Sequence, residues 1–157
     1  MGSSLPARVV GLTAQALLGL ALVLANLAAR AAEQQTHSAR AVSISQTTLT
    51  TPVFDGEPQL APIDGTTLKY VVNSATPIIL VGTMTQRYYA AENAVWFKSA
   101  SPRGPWSVAA NVPAVIYMIP PSSPLHYLTY LKIYDAEEDT VYVGYTPDYR
   151  PEMEGPR

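Results

Sequence analysis

The sequence predicts an all-β protein, a small antiparallel meander and hairpin domain preceded by an N-terminal apolar helix. Short runs of β-branched and aromatic residues recur along most of the chain, and turn-forming Pro, Gly, Asn and Asp separate them. Beyond the N-terminal apolar segment, no run has the spacing of an amphipathic helix of about ten residues or more. The chain has 157 residues and no cysteine, so packing must stabilise it without disulfides or thiolate-bound metals.

The N-terminal segment has the charge order of an export signal. Arg8 precedes 21 uncharged residues, 9–29, and Ala29 and Ala31 form the A-x-A-like pattern at which signal peptidase cuts. The same span is long enough to cross a bilayer. Residues 1–31 are therefore either a cleaved signal peptide or a retained anchor that contacts the membrane through residues 9–29. Both fates predict an exported domain, either periplasmic or anchored in the inner membrane and facing the periplasm.

We divide the remainder of the chain by composition. A polar linker is predicted at 32–40, an all-β domain at 41–150 and a tail at 151–157. Within the domain, the β-type runs in chain order are 41–48, 68–72, 77–81, 87–91, 94–99, 106–109, 114–119, 129–134 and 140–146. A turn-rich segment, 52–65, lies between the first two runs, and the proline-rich segment Pro120–Pro124 is predicted to be an exposed connection.

Two hairpins follow from the turn residues. Glu92-Asn93 separates runs 87–91 and 94–99, and asparagine tolerates the positive φ of a tight turn. The turn at Ser101–Pro105 then returns the chain as a third strand, which makes a meander. Runs 129–134 and 140–146 bracket the acidic loop Asp135–Asp139 and form the second hairpin.

Motifs for catalysis, metals and cofactors are not found in the sequence. It has no nucleophile elbow, P-loop, dinucleotide fingerprint or zinc-protease helix, and His126 has no nucleophile or orienting acid nearby in the chain. The acidic loop lacks the glycine and the spacing of an EF-hand. We therefore predict that it is the solvated tip of a hairpin. The formal net charge of −2 comes with no basic stripe, which excludes nucleic acid as a partner. We therefore predict no enzyme, no metal and no cofactor.

Aromatic residues are the prominent feature of the domain. Ten tyrosines lie between Tyr70 and Tyr149, and such side chains on a rigid sheet suit sugar rings, proline-rich peptides or protein surfaces. Strand alternation also predicts that about half of them pack in the core, so each position has both interpretations. The candidate ligand-binding residues are Trp96, Trp106, Tyr89, Tyr145 and Tyr149.

Several segments carry a resemblance to a known family. They are Phe54-Asp55-Gly56, Tyr88-Tyr89-Ala90, Val95-Trp96-Phe97, Ser101-Pro102, Gly104-Pro105-Trp106, 112–117, 119–124 and 141–147. In them the chain resembles a group of exported proteins of Gram-negative bacteria, some of which carry the label carbohydrate-binding family V/XII. The resemblance implies an exported, aromatic-rich domain with carbohydrate binding as its expected property. The chain departs from the family pattern at Asp148, where the family has glycine, and at Asn93-Ala94, where it has an Asp-Gly-type turn.

These observations predict a non-catalytic binding or assembly module of the cell envelope, with exposed aromatics and the Pro120–Pro124 loop as its contact surface. The expected partner is an envelope protein or a polysaccharide. The alternative is a membrane-anchored accessory subunit of an envelope protein complex, which would retain residues 1–31. A third hypothesis is a glycan hydrolase using Asp55, Asp64 and Asp148, although the glycines that follow the first two favour turns. Exposed sheet edges also permit a homo-oligomer.

Overall fold

The computed structural model describes residues 18–27 and 39–147 of the chain, which divides into two compact units, Met1–His37 and Ser38–Arg157. In the first unit, residues 18–27 are helical. Their large apolar side chains are exposed: Leu18, Leu20, Leu22, Val23, Leu24 and Leu27. Within the described residues, no helix is long and apolar enough to span a membrane. The predicted cleavage site at Ala29–Ala31 and the tail at 151–157 lie outside the described residues.

The second unit contains nine strands in its described part, and they form two antiparallel sheets. The larger sheet follows chain order: β2 (Leu60–Pro62), β3 (Lys69–Val71), β4 (Ile78–Val81), β5 (Arg87–Glu92), β6 (Val95–Ser99) and β7 (Ser107–Val108). The smaller sheet has the order β1-β9-β8, from β1 (Arg40–Ser43), β9 (Thr140–Tyr145) and β8 (Leu131–Ala136). The prediction of a β protein with antiparallel meander and hairpin connections is confirmed.

Both predicted hairpins are present. Strands β5 and β6 pair from Tyr88↔Ser99 to Glu92↔Val95, and their connection is Asn93-Ala94, one residue later than predicted. Both turn residues have positive φ, 51° and 62°, which is the signature of a type I′ turn. Strands β8 and β9 form the second hairpin, with an irregular register between Ile133 and Asp135.

The domain contains one kind of element that contradicts the prediction of no helix beyond the N-terminal one. The apolar run at 114–119 forms a 3₁₀ helix, η1 (Ala114–Met118), and a second one, η2 (His126–Tyr130), leads directly into β8. Prolines precede and follow η1 at positions 113 and 120. Because proline lacks the N–H that a sheet ladder needs, these residues disfavour a strand at 114–119. The turn-rich segment 52–65 also contributes a strand, β2, whose Pro62 is tolerated because β2 is an edge strand.

The larger sheet is the middle of three layers. Alternation along β5 and β6 sends Tyr89, Ala91 and Trp96 to one face, where they pack against η1 and η2. It sends Ala90 and Phe97 to the other face, where they pack against the smaller sheet. The central strands therefore lie between two cores, and aromatic side chains on either of their faces are covered.

Candidate ligand-binding site

Two of the five predicted binding residues lie in the core. Trp96 has no exposed surface and Tyr89 is 7% exposed, and both belong to the cluster beneath the 3₁₀ helices. The Trp96 indole N–H donates a hydrogen bond to the carbonyl oxygen of Leu131, at 3.2 Å. Of the two interpretations, packing in the core is the one that the structure shows for these two rings, because both faces of β5 and β6 are covered by other layers.

The other three predicted residues occupy different positions. Trp106 immediately precedes β7, is half-buried and packs against the core beneath the smaller sheet. Its indole nitrogen is buried and has no hydrogen-bond partner among the described residues. Tyr145, the last residue of β9, is 37% exposed. Tyr149 lies outside the described residues. Trp106 lies beside a strand of the larger sheet and Tyr145 ends a strand of the smaller sheet, and with Trp96 and Tyr89 in the core the described residues of the predicted set do not form one aromatic platform.

A different cluster lies around η1, and sequence reasoning missed it. Side chains of a 3₁₀ helix repeat every three residues, so the helix has three faces. Ile116 and, just past the helix, Ile119 point into the core. Val115 and Met118 share the second face, and Tyr117 lies on the third.

The second face of η1 forms one wall of a surface groove of about 390 Å³. Val115 and Met118 face the turn at 65–67 across this groove, and Met118 is 72% exposed. The Thr66 hydroxyl holds the turn, because it donates to the carbonyl of Ile63 at 2.8 Å and accepts from the N–H of Leu68 at 3.0 Å. The groove volume is within the range of small-ligand sites.

The third face of η1 carries a cation–π contact. The Nζ of Lys132 lies 3.6 Å from the centroid of the Tyr117 ring, and both residues are half-buried. Burial lowers the pKa of Lys132 and raises the pKa of Tyr117. No carboxylate among the described residues forms an ion pair with Lys132. We call Val115, Tyr117, Met118, Lys132 and the turn 65–67 the η1 surface.

Hydrogen bonds hold η1 against its neighbours. One of them comes from the His126 ring, whose Nδ1 lies 2.7 Å from the carbonyl oxygen of Ile119. Within η2, the Nε2 of the same ring lies 3.4 Å from the Tyr130 hydroxyl. Since a carbonyl can only accept, Nδ1 carries the proton, and Nε2 accepts from the tyrosine when the ring is neutral. The two rings meet edge to face at 5.5 Å. This pair joins η2 to the end of η1 and so positions the η1 surface.

Tyr145 lies beside the strand that carries Lys132. It is paired with Leu131 in the β8–β9 ladder, and Lys132 is paired with Gly144. The Tyr134 hydroxyl donates to the Tyr145 carbonyl at 3.1 Å, and burial raises the pKa of Tyr145. Shifted pKa values are common at functional sites, and burial shifts the pKa values of Tyr117, Lys132 and Tyr145.

The arrangement suits binding, since it combines an apolar wall, ring faces, exposed hydroxyls and a cation. Among the described residues, no group of three or more His, Asp or Glu side chains is placed to hold a metal ion.

Comparisons with protein-family models, curated proteins and solved structures find no match to this chain.

Proposed function

We propose that the protein is a non-catalytic binding module of the bacterial cell envelope and that its ligand contacts the η1 surface. The observation that carries the proposal is the Lys132 ammonium held on the Tyr117 ring without an ion-pair partner in the described residues. A half-buried cation has lost part of its hydration. A ligand that supplies hydrogen-bond acceptors to Lys132 would replace the hydrogen bonds to water that the ammonium lost on folding.

The groove on another face of η1 supports the same proposal. Met118 leaves most of its thioether side chain in water, although such side chains usually pack against other apolar groups. A ligand seated between Met118 and the turn 65–67 would cover that surface. Polysaccharides and proteins both have the mixed polar and apolar faces that this surface would complement, so the proposed partner is an envelope polysaccharide or an envelope protein.

The assignment to the envelope rests on the N-terminal segment. The helical residues 18–27 expose Leu and Val along their length, and they lie within the uncharged span that follows Arg8. A helix that is apolar on all sides is typical of a membrane segment or an export signal. The resemblance to carbohydrate-binding family V/XII stays a prediction and is consistent with this proposal.

Two exposed methionines provide a matched test. In the full-length protein, Met118→Asp places a charge in the groove, whereas Met84→Asp places one at a position that is 97% exposed in the loop before β5. Binding to polysaccharide isolated from the envelope is measured by biolayer interferometry, together with the melting temperature of each variant. We expect Met118→Asp to weaken binding about tenfold or more and Met84→Asp to leave it unchanged, with similar melting temperatures. Equal binding by the two variants would contradict the proposal.

A second candidate is a membrane-anchored accessory subunit of an envelope protein complex, and the exposed apolar helix at 18–27 favours it. The intact mass of the protein in membrane and soluble envelope fractions separates the two candidates. A chain that retains residues 1–31 in the membrane fraction supports the accessory subunit. A start near residue 32 in the soluble fraction supports the free binding module.

A further inference from the structure

We infer that the protein forms a two-fold symmetric dimer through the outer edge of β1. In this dimer the β1 strands of two copies pair antiparallel and join the two smaller sheets into one continuous sheet. Dimer formation goes beyond the proposed binding function and does not require it.

The outer edge of β1 carries unpaired backbone groups. In an antiparallel pair, every second residue bonds to the neighbouring strand, and the residues between them direct their N–H and C=O groups to the other side. The Ile44 N–H donates to the Asp139 carbonyl at 2.9 Å, in the register of the β1–β9 pairs. By this alternation Val42 also faces β9, whereas Ala41 and Ser43 present their N–H and C=O groups at the outer edge. These groups have no hydrogen-bond partner among the described residues.

Each of the other three edge strands in the described domain has a feature that hinders pairing with another chain. Strand β2 contains Pro62, which has no N–H, and β7 has only two residues. In β8 the Leu131 carbonyl already accepts from the Trp96 indole, and the register is irregular between Ile133 and Asp135. Strand β1 contains no proline and pairs with β9 in an unbroken register. It is therefore the edge best suited to receive another strand.

A second copy of β1 fits this edge because the strand is complementary to itself. When two β1 strands run antiparallel with Val42 on the two-fold axis, Ala41 of one copy lies opposite Ser43 of the second copy. This pair exchanges N–H···O bonds in both directions, and symmetry generates a second such pair. All the unpaired N–H and C=O groups of both residues then have partners. The side chains at both positions are small, so they leave room for the second strand.

The same register brings opposite charges together. Arg40 of one copy lies opposite Ile44 of the second copy, and that Ile44 is bonded to its own Asp139. Arg40 and the second copy's Asp139 are then two strand spacings apart, about 10 Å, with their side chains on the same face of the sheet. Both residues are exposed. Arg40 donates to the Asn93 carbonyl at 2.6 Å and forms no ion pair within the part of the chain that the structure describes, so it can attract this carboxylate.

Introduced cysteines test this register, because the native chain has no cysteine. Ala41→Cys and Ser43→Cys are made in separate full-length chains, which are oxidised alone and as an equimolar mixture and then separated by non-reducing electrophoresis. In the mixture, the two cysteines lie opposite each other with Cα atoms about 5.5 Å apart, within the range of a disulfide. In either variant alone, the two cysteines of a dimer are diagonal neighbours, about 7 to 8 Å apart. Circular dichroism checks that every variant is folded.

A second pair of variants tests the charges. Arg40→Glu is added to both cysteine chains, and the matched control is Arg87→Glu, which reverses the charge of an exposed arginine at the start of β5.

We expect about tenfold more disulfide-linked dimer in the mixture than in either variant alone. Arg40→Glu should slow cross-linking of the mixture about fivefold or more, because it places like charges together, and Arg87→Glu should leave it unchanged. Absence of cross-linking in the folded mixture would overturn the inference, as expected if a segment of another protein occupies this edge. Equal cross-linking in the mixture and in the single variants would also overturn it, because association through another part of the chain has no preference for this register.

Discussion

The indole N–H of Trp96 donates a hydrogen bond of 3.2 Å to the backbone carbonyl of Leu131, and both residues are fully buried. Leu131 ends η2 and begins β8, and the next residue is Lys132. The bond therefore joins β6, the strand next to the edge strand β7, to the point where β8 begins. Trp96 was predicted as a ligand contact, but the structure places it beneath the site, where it positions the strand that carries the cation.

Loss of this bond should be costly. Trp96→Phe keeps an aromatic ring but leaves the Leu131 carbonyl unpaired and a small cavity, so we expect the free energy of unfolding to fall by about 2 to 4 kcal/mol. Trp106→Phe is the matched control, because the Trp106 indole nitrogen has no partner among the described residues, and it should cost less. Urea unfolding followed by circular dichroism measures both. Equal losses would show that the hydrogen bond is unimportant.

A substitution in the β5–β6 turn should raise the free energy of unfolding. Ala94 has φ 62°, a left-handed conformation that costs a residue with a Cβ about 1 kcal/mol. Glycine has no such cost, so Ala94→Gly should raise the free energy of unfolding by about 0.5 kcal/mol after the loss of some packing by the half-buried methyl group. The control is Ala136→Gly in β8, which should destabilise by a similar amount. A lower melting temperature for Ala94→Gly would contradict this account of the turn.

The loop before β2 depends on one side chain. Asn73 Nδ2 donates to the carbonyls of Asp55 and Glu57, at 2.7 and 2.8 Å, and its Oδ1 accepts from the Gln59 N–H at 2.8 Å. Asn73→Asp replaces the donor group with an oxygen that faces two carbonyls, so we expect a loss of about 1 to 2 kcal/mol. Asn111→Asp, at an exposed position, should have little effect. The melting temperatures of the two variants are compared by thermal unfolding. Similar melting temperatures would contradict the role of the Asn73 side chain in this loop.

Local patterns predicted the strands well because turn chemistry and alternation are properties of neighbouring residues. Alternation correctly placed Trp96 and Phe97 on opposite faces of β6. It could not show that both faces are covered, because the smaller sheet pairs Arg40 with Val143 across a hundred residues of chain. Exposure of an aromatic side chain depends on that distant pairing, so alternation along the strands does not show which of the candidate aromatic residues are exposed.

The η1 surface was hidden for a related reason. A run of apolar residues between two prolines is compatible with a strand or a short helix. Its pairs at a spacing of three, Val115 with Met118 and Ile116 with Ile119, were the available signal for a 3₁₀ helix. The contact of Tyr117 with Lys132 had no sequence signal at all, because it requires η2 to turn the chain back beside η1.

The raised pKa values of Tyr117 and Tyr145 predict how stability responds to alkaline pH. Burial raises both above the ordinary 10.0. Between the ordinary and the raised values the folded state binds more protons than the unfolded state, so the free energy of unfolding falls as pH rises through that interval. Lys132 acts in the opposite direction, because burial lowers its pKa from 10.5 and the unfolded state then binds more protons.

Tyrosinate absorbance at 295 nm tests this directly. In a titration of the folded protein, Tyr117→Phe and Tyr145→Phe should each remove absorbance from the late, high-pH part of the curve, because each deletes a tyrosine that ionises late. Tyr145→Phe should also reduce the loss of stability above pH 10, measured by urea unfolding at several pH values, since the unfolded state no longer gains from ionising that group. Removal of absorbance from the early part of the curve would show that the deleted tyrosine is not desolvated. For Tyr117 that result would also mean that its ring is more exposed to water than the contact with Lys132 requires.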